Sequence, residues 1–158
     1  MSTPPASPCP LCVTVRQAAA HPLHLLTLQE CVVMLGDNQG CQGWCVCVLR
    51  EHVEHMDDLP IERQQRIFAE VARVARAVRS ASVQHGWGND TTPPRINYEC
   101  LGNVVPHVHW HIVPRHANDP TPKAPVWGWS GEQLTGTLTP RERADTAAKV
   151  RDALQSVK

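Results

Sequence analysis

The stretch LGNVVPHVHWHIVPR, residues 101–115, decides how the rest of the chain is read. From His107 onward, imidazole and apolar side chains alternate. Strand side chains alternate faces, so His107, His109 and His111 project from one side and Val108, Trp110 and Ile112 from the other. A core wants the apolar side. Packing does not explain imidazoles at three alternate positions on the opposite side. The residues alone leave three readings open. The histidines merely face water, or they form a His-x-His metal site of the kind that binds zinc, or one is a neutral nucleophile towards phosphorus.

On either side of this segment the pattern is one of short strands and two helices. LHLLTLQECVVML (23–35) is apolar with a polar break at Gln29–Glu30, which predicts two strands joined by a tight turn. GDNQGCQG (36–43) has turn composition, and residues 44–49 read as a third strand. Asp57-Asp58-Leu59-Pro60 carries helix-start chemistry. Behind it Ile61, Ile67, Phe68, Val71, Val74, Ala75 and Val78 recur at helical spacing. That helix is predicted to end near Ser80, with Arg63, Arg66, Arg73 and Arg76 on a solvated face. Residues 85–94 are a loop rich in breakers, and 95–100 and 107–113 are the next strands. Thr139-Pro140-Arg141-Glu142 is a capping-box pattern opening a last helix to about Gln155. About five strands and two helices, not regularly alternating, predict an α+β fold on a mainly antiparallel sheet.

The chain has 158 residues, which favours one compact domain, taken as residues 9–158 behind a Ser/Thr/Pro-rich flexible tail at residues 1–8. Lys plus Arg and Asp plus Glu are both 15, giving zero formal net charge. No bulk field then favours nucleic acid or an anionic membrane, and phosphate recognition must come from a few placed groups. No apolar run approaches the roughly 20 residues needed to span a bilayer. The first ten residues lack the basic and apolar regions of a secretory signal. Seven cysteines without such a signal argue against a disulfide framework, so a reducing, cytoplasmic setting is expected. No glycine-rich phosphate loop and no acidic cluster for catalytic magnesium is present.

Residues 101–115 resemble the signature of the histidine-triad (HIT) superfamily: three histidines at alternate positions between apolar residues, preceded by a glycine (Gly102) and a polar amide (Asn103). The resemblance runs from about Cys9 to Trp129 and includes the strand and loop ending in Arg50-Glu51-His52-Val53. It implies the HIT-like fold and a nucleotide hydrolase or transferase working through a nucleotidyl-histidine intermediate. His109 would attack the α-phosphate and release a nucleoside monophosphate, expected to be AMP. The expected substrate is a nucleoside phosphoramidate or a dinucleoside polyphosphate. His107 would orient His109 through its backbone carbonyl, fixing the tautomer. His111 would contact phosphate oxygens. Asn103 stands where many members carry glutamine and is a candidate phosphate donor. No metal is expected in the chemical step. A non-catalytic nucleotide- or zinc-binding module on the same fold is the alternative, and a metal-dependent hydrolase using all three histidines is a third.

The resemblance also implies softer sites. Cys9-Pro10-Leu11-Cys12 is a C-x-x-C pair, for which the residues alone leave a redox motif, two unrelated buried cysteines or a metal site open. Some family members hold structural zinc at positions that map to Cys9, Cys12, His52 and His107, with His55 a competing donor. Cys31, Cys41, Cys45, Cys47 and Cys100 read as small core or turn residues. Asp37 or Asn38 would hold the ribose hydroxyls, or both merely serve the turn. Asn97 is a further phosphate candidate, or a polar strand residue facing solvent. Trp127-Gly128-Trp129 closes a partner subunit's pocket or packs as part of the tail. A homodimer is expected from the family and from the need to cover a sheet edge.

Overall fold

The computed structural model describes residues 9–89 and 92–157. The expected tail at residues 1–8 lies outside them. Five strands, β1 (His24–Thr27), β2 (Cys31–Leu35), β3 (Cys45–Leu49), β4 (Arg95–Glu99) and β5 (His109–Arg115), form one sheet in the order β1-β2-β3-β5-β4. Every neighbouring pair is antiparallel. Among the described residues four α-helices accompany the sheet: α1 (Pro10–Gln17), α2 (Ile61–His85), α3 (Gly131–Thr135) and α4 (Pro140–Ser156). The α+β fold and its antiparallel sheet are as expected. Two of the four helices, α1 and α3, are short and were not expected.

The core forms where the apolar side of the sheet meets α2 and α4. Cys31, Val33 and Leu35 of β2, Cys45 and Cys47 of β3 and Ile112 of β5 pack there against Ile67, Val74 and Val78 of α2. Paired residues across an antiparallel ladder share a face, so the intervening side chains point the other way. Val46 pairs with His111 and Val48 with His109. Glu99 lies opposite His111, and Asn97 opposite Val113. The second face of the sheet is therefore the histidine face. α1 covers one end of it, where Val15 and Ala18 pack on Val32 and Met34. A single turn of 3-10 helix at Val126–Gly128 covers the other end, with Val126, Trp129, Trp44 and Val113 packed together.

Several boundaries depart from expectation for local reasons. α2 runs to His85, five residues past Ser80, because Ala81 and Ser82 continue its buried face. It stops at Gly86, whose φ of 64° is left-handed and whose N–H bonds back to the Ser82 and Val83 carbonyls. The arginine face is not simply solvated. Arg63 and Arg66 reach the buried carboxylate of Glu30 at 2.8 and 2.9 Å. Arg73 donates to the carbonyls of Leu154 and Val157. Burial alone would raise the Glu30 pKa; the hydrogen bonds and charges of Arg63 and Arg66 outweigh it and hold the carboxyl below its usual range. Glu30 sits in the β1–β2 turn, so two arginines pin that turn to α2. Cys31, Cys41, Cys45 and Cys47 are buried, but Cys100 is exposed.

Candidate active site and metal centre

β5 begins at His109. His107 therefore precedes the strand, and the three histidines are not three equivalent strand positions. The His107 ring is 1% exposed and turns inward. Its Nε2 lies 2.8 Å from the Leu49 carbonyl, so that nitrogen is the N–H donor and Nδ1 keeps a lone pair. Four donor atoms, from Cys9, Cys12, His52 and His107, lie within 4.8 Å of one another. The His107 Nδ1 is 3.5 Å from the Cys9 Sγ, 3.6 Å from the Cys12 Sγ and 3.3 Å from the His52 Nδ1. Ligand bonds of about 2.0–2.3 Å in a tetrahedron leave donors roughly 3.3–3.8 Å apart, so this set fits a metal ion. His55 stays outside the cluster and is exposed. The two cysteines come together because α1 winds one turn between them, started by Pro10 at its first position.

His109 and His111 lie on the strand and face away from the core. The His109 Nδ1 is 2.7 Å from the His107 carbonyl oxygen, which can only accept. In the neutral ring the His109 proton therefore sits on Nδ1, and Nε2 carries the lone pair. The two segments are held in register beside β3, where Val108 N–H donates to Val53 and Leu49 N–H donates to Val108. Among the described residues no metal-type donor group includes His109 or His111. A three-histidine metal site is thus not what this arrangement forms.

His111 is enclosed by aromatic rings. The Trp44 Nε1 lies 3.2 Å from the His111 Nδ1. Trp127 stands edge-on to His111 at 5.1 Å between centroids, and its indole N–H donates to the Glu99 carboxylate. Burial, with His109 adding to it, pushes the His111 pKa down to about 4. Sequence reasoning missed Trp44, placing it only as the start of a strand. Its signal was weak: an indole at a strand end usually packs. Trp127 packs against His111 of its own chain.

A cavity of about 340 Å³ opens between α1 and the sheet. Leu11, Met34, Val46 and Val48 give it apolar walls, and Asp37 stands at its rim. Val46 and Val48 are the ladder partners of His111 and His109, so the cavity lies on the histidine face of the sheet, although neither imidazole lines it. Asn38 does not line it. Asn97 donates to Glu99 at 3.4 Å and lines a separate cleft with Arg95 and Lys123. Asn103 is exposed in the loop before the triad.

An antiparallel sheet thus presents a buried, an oriented and an aromatic-enclosed histidine on one short segment. The HIT domain family model matches residues 18–118, and the chain belongs to that family. Among solved structures it is similar to a histidine triad protein from Marinobacter aquaeolei VT8, with 27% identity, covering 90% of this chain and 96% of that one, at a TM-score of 0.67. A histidine triad (HIT) protein from Sinorhizobium meliloti 1021 aligns at 23% identity over 82% of this chain and 87% of that one, with a TM-score of 0.68. A zinc-bound histidine triad family protein from Mycobacterium smegmatis aligns at 20% identity over 92% and 94%, with a TM-score of 0.62. No curated protein sequence matches the chain. Among the described residues no helix is long and apolar enough to cross a membrane.

Proposed function

We propose that this protein is a nucleotide hydrolase or transferase that cleaves at the α-phosphate through a nucleotidyl-His109 intermediate. The observation that carries the reading is the 2.7 Å contact between the His109 Nδ1 and the His107 carbonyl, which sets the neutral ring's tautomer with its lone pair on Nε2. A nucleophile held in one tautomer needs no rearrangement before attack. The apolar cavity on the same face of the sheet suits a nucleobase, and Asp37 at the rim suits the ribose hydroxyls. Asn103 and Asn97 remain candidates for phosphate contacts. A purely binding module is the weaker reading, because binding alone does not require a histidine with its tautomer set. Incubation with diadenosine tetraphosphate and with adenosine phosphoramidate, followed by chromatography, should show AMP released from at least one. No AMP from either, at enzyme concentrations near those of substrate, would contradict the proposal.

The Cys9, Cys12, His52 and His107 cluster is proposed to hold a structural zinc. Two thiolates beside two imidazoles are a zinc-favouring donor set, and the zinc-bound relative supports the choice of ion. Such an ion would tie α1, the segment after β3 and the entry to β5 into one unit. It takes no part in the chemical step as proposed.

A homodimer is proposed to form across β4. That strand is a sheet edge, and beside it Tyr98 is 51% and Phe68 50% exposed. Both lie on the α2 side, where Phe68 packs edge-on against Trp110. An open edge flanked by exposed aromatics is a surface that another copy covers well. Sedimentation at micromolar concentration should show a species of twice 17.5 kDa. A single species at 17.5 kDa would count against the dimer.

A further inference from the structure

We propose that Trp44 is a positioning residue that holds His111 as a neutral Nε2–H donor, which suits the site to leaving groups that depart as anions rather than as amines. This rests on the nucleotidyl-transfer reading above and adds the leaving-group chemistry to it.

The geometry at Nδ1 is the starting point. An indole N–H can donate and cannot accept. The Trp44 Nε1 is 3.2 Å from the His111 Nδ1, so Nδ1 must supply a lone pair. In neutral His111 the proton is then on Nε2. An imidazolium needs a proton on both nitrogens, and the one on Nδ1 would point at the indole N–H. Trp44 cannot turn away, since it is 1% exposed and packed among Cys41, Val113, Val126 and Trp129. The groups facing His111 are few. β3 offers the apolar Val46, and β5 offers His109, 5.1 Å away between centroids. β4 offers Glu99, the single anion facing it among the described residues, whose oxygens accept from Trp127 and Asn97. Trp127 covers the remaining side.

The chemistry follows from the proton's position. As the His109 Nε2 forms its bond to the α-phosphorus, the bond from phosphorus to the leaving atom breaks. The electron pair goes to that atom. A phosphate or carboxylate oxygen holds it as an anion, and the His111 Nε2–H hydrogen-bonds to the developing charge while keeping its proton. An amine nitrogen must instead gain a proton as its bond to phosphorus breaks. A neutral imidazole could supply one only by becoming an imidazolate, and its N–H is far too weak an acid for that near neutral pH. General acid catalysis is worth roughly 10²–10⁴ in rate. A phosphoramidate forgoes that contribution here, and an anhydride does not need it.

The test has two arms. In ¹⁵N-labelled protein, with the His111 signals assigned by their loss in His111→Gln, Nδ1 should resonate as an unprotonated nitrogen and Nε2 as an N–H from pH 6 to 8. The opposite tautomer, or a doubly protonated ring at pH 6, would overturn the proposal. In the kinetic arm, kcat/KM for diadenosine tetraphosphate should exceed that for adenosine phosphoramidate by at least about 10² at pH 7.5. Trp44→Phe keeps a ring and removes the N–H, so it should narrow that ratio and give the phosphoramidate reaction a new acid limb near pH 6. Equal or faster phosphoramidate cleavage by the unaltered protein would overturn the leaving-group inference. Failure to cleave either substrate would instead remove the nucleotidyl-transfer reading. The ¹⁵N result on the unaltered protein decides the role of Trp44 even where Trp44→Phe does not fold.

Discussion

Replacing His109 with alanine is expected to lower kcat by at least about 10³, equivalent to roughly 4 kcal/mol of transition-state stabilisation. Nucleotide affinity should change little. The reason is that the P–N bond would exist only along the reaction coordinate, whereas in the proposed mode of binding the cavity walls and Asp37 would contact the ground state as well. A replacement here would remove the proposed nucleophile itself, and no neighbouring group is free to take over. His107 is engaged at both ring nitrogens, with the Leu49 carbonyl and the Cys–His cluster, and the His111 Nδ1 is occupied by Trp44. Single-turnover kinetics with parallel measurement of AMP binding would check this. Activity near that of the unaltered protein in His109→Ala would contradict it.

Removal of the metal should have the second large effect, and on stability more than on chemistry. Protein purified without added metal is expected to carry close to one zinc per chain by elemental analysis, and Cys12→Ser to carry little. A site occupied at about 1,000 times its dissociation constant contributes roughly 4 kcal/mol to stability. For a chain of this size that is a fall of about 8–16 °C in Tm on loss of the ion. The effect should be concentrated where the cluster ties segments together: α1, the stretch around His52 and the approach to β5. His109 accepts its orientation from the carbonyl of His107, a cluster member, so kcat should fall modestly with the metal. Stoichiometric absence of zinc, with Cys9 and Cys12 freely alkylated in the folded protein, would contradict the metal assignment.

Much of the site was legible because its residues are close in sequence or chemically distinctive. The alternation from His107 to Ile112 correctly separated the core side from the histidine side for Val108 to Ile112. It failed at His107 because a strand pattern does not reveal where pairing starts. Here the backbone before His109 bonds to Val53 and Val105, outside the β3–β5 ladder, and the ring turns into the Cys–His cluster. The C-x-x-C pair and His52 were legible as donors, while α1 between the cysteines was not. Its sequence PLCVTVRQ is rich in β-branched residues with weak helix propensity, and only tertiary packing recovers it. The short α3 did carry a signal, a Ser130-x-x-Gln133 capping box, but a five-residue helix offers no periodicity to support it.

The aromatic enclosure of His111 was beyond reach of pattern reading. Trp44 and Trp127 meet it from distant parts of the chain, and nothing local marks either indole as a neighbour of an imidazole. The same holds for Arg63 and Arg66, whose spacing on α2 fits a solvated face. Their partner Glu30 lies more than thirty residues earlier in the β1–β2 turn. Asp37 and Asn38 were equivalent in sequence, and the backbone of the turn separates them by placing only Asp37 at the cavity.

The stereochemical course at phosphorus tests the central claim most directly. A substrate carrying a chiral α-phosphorothioate can be turned over in ¹⁸O-water and the configuration of the released nucleoside phosphorothioate determined. Attack by His109 and then by water inverts phosphorus twice, so the product should retain its configuration. Net inversion would mean that water displaces the leaving group in one step and that His109 is not the nucleophile.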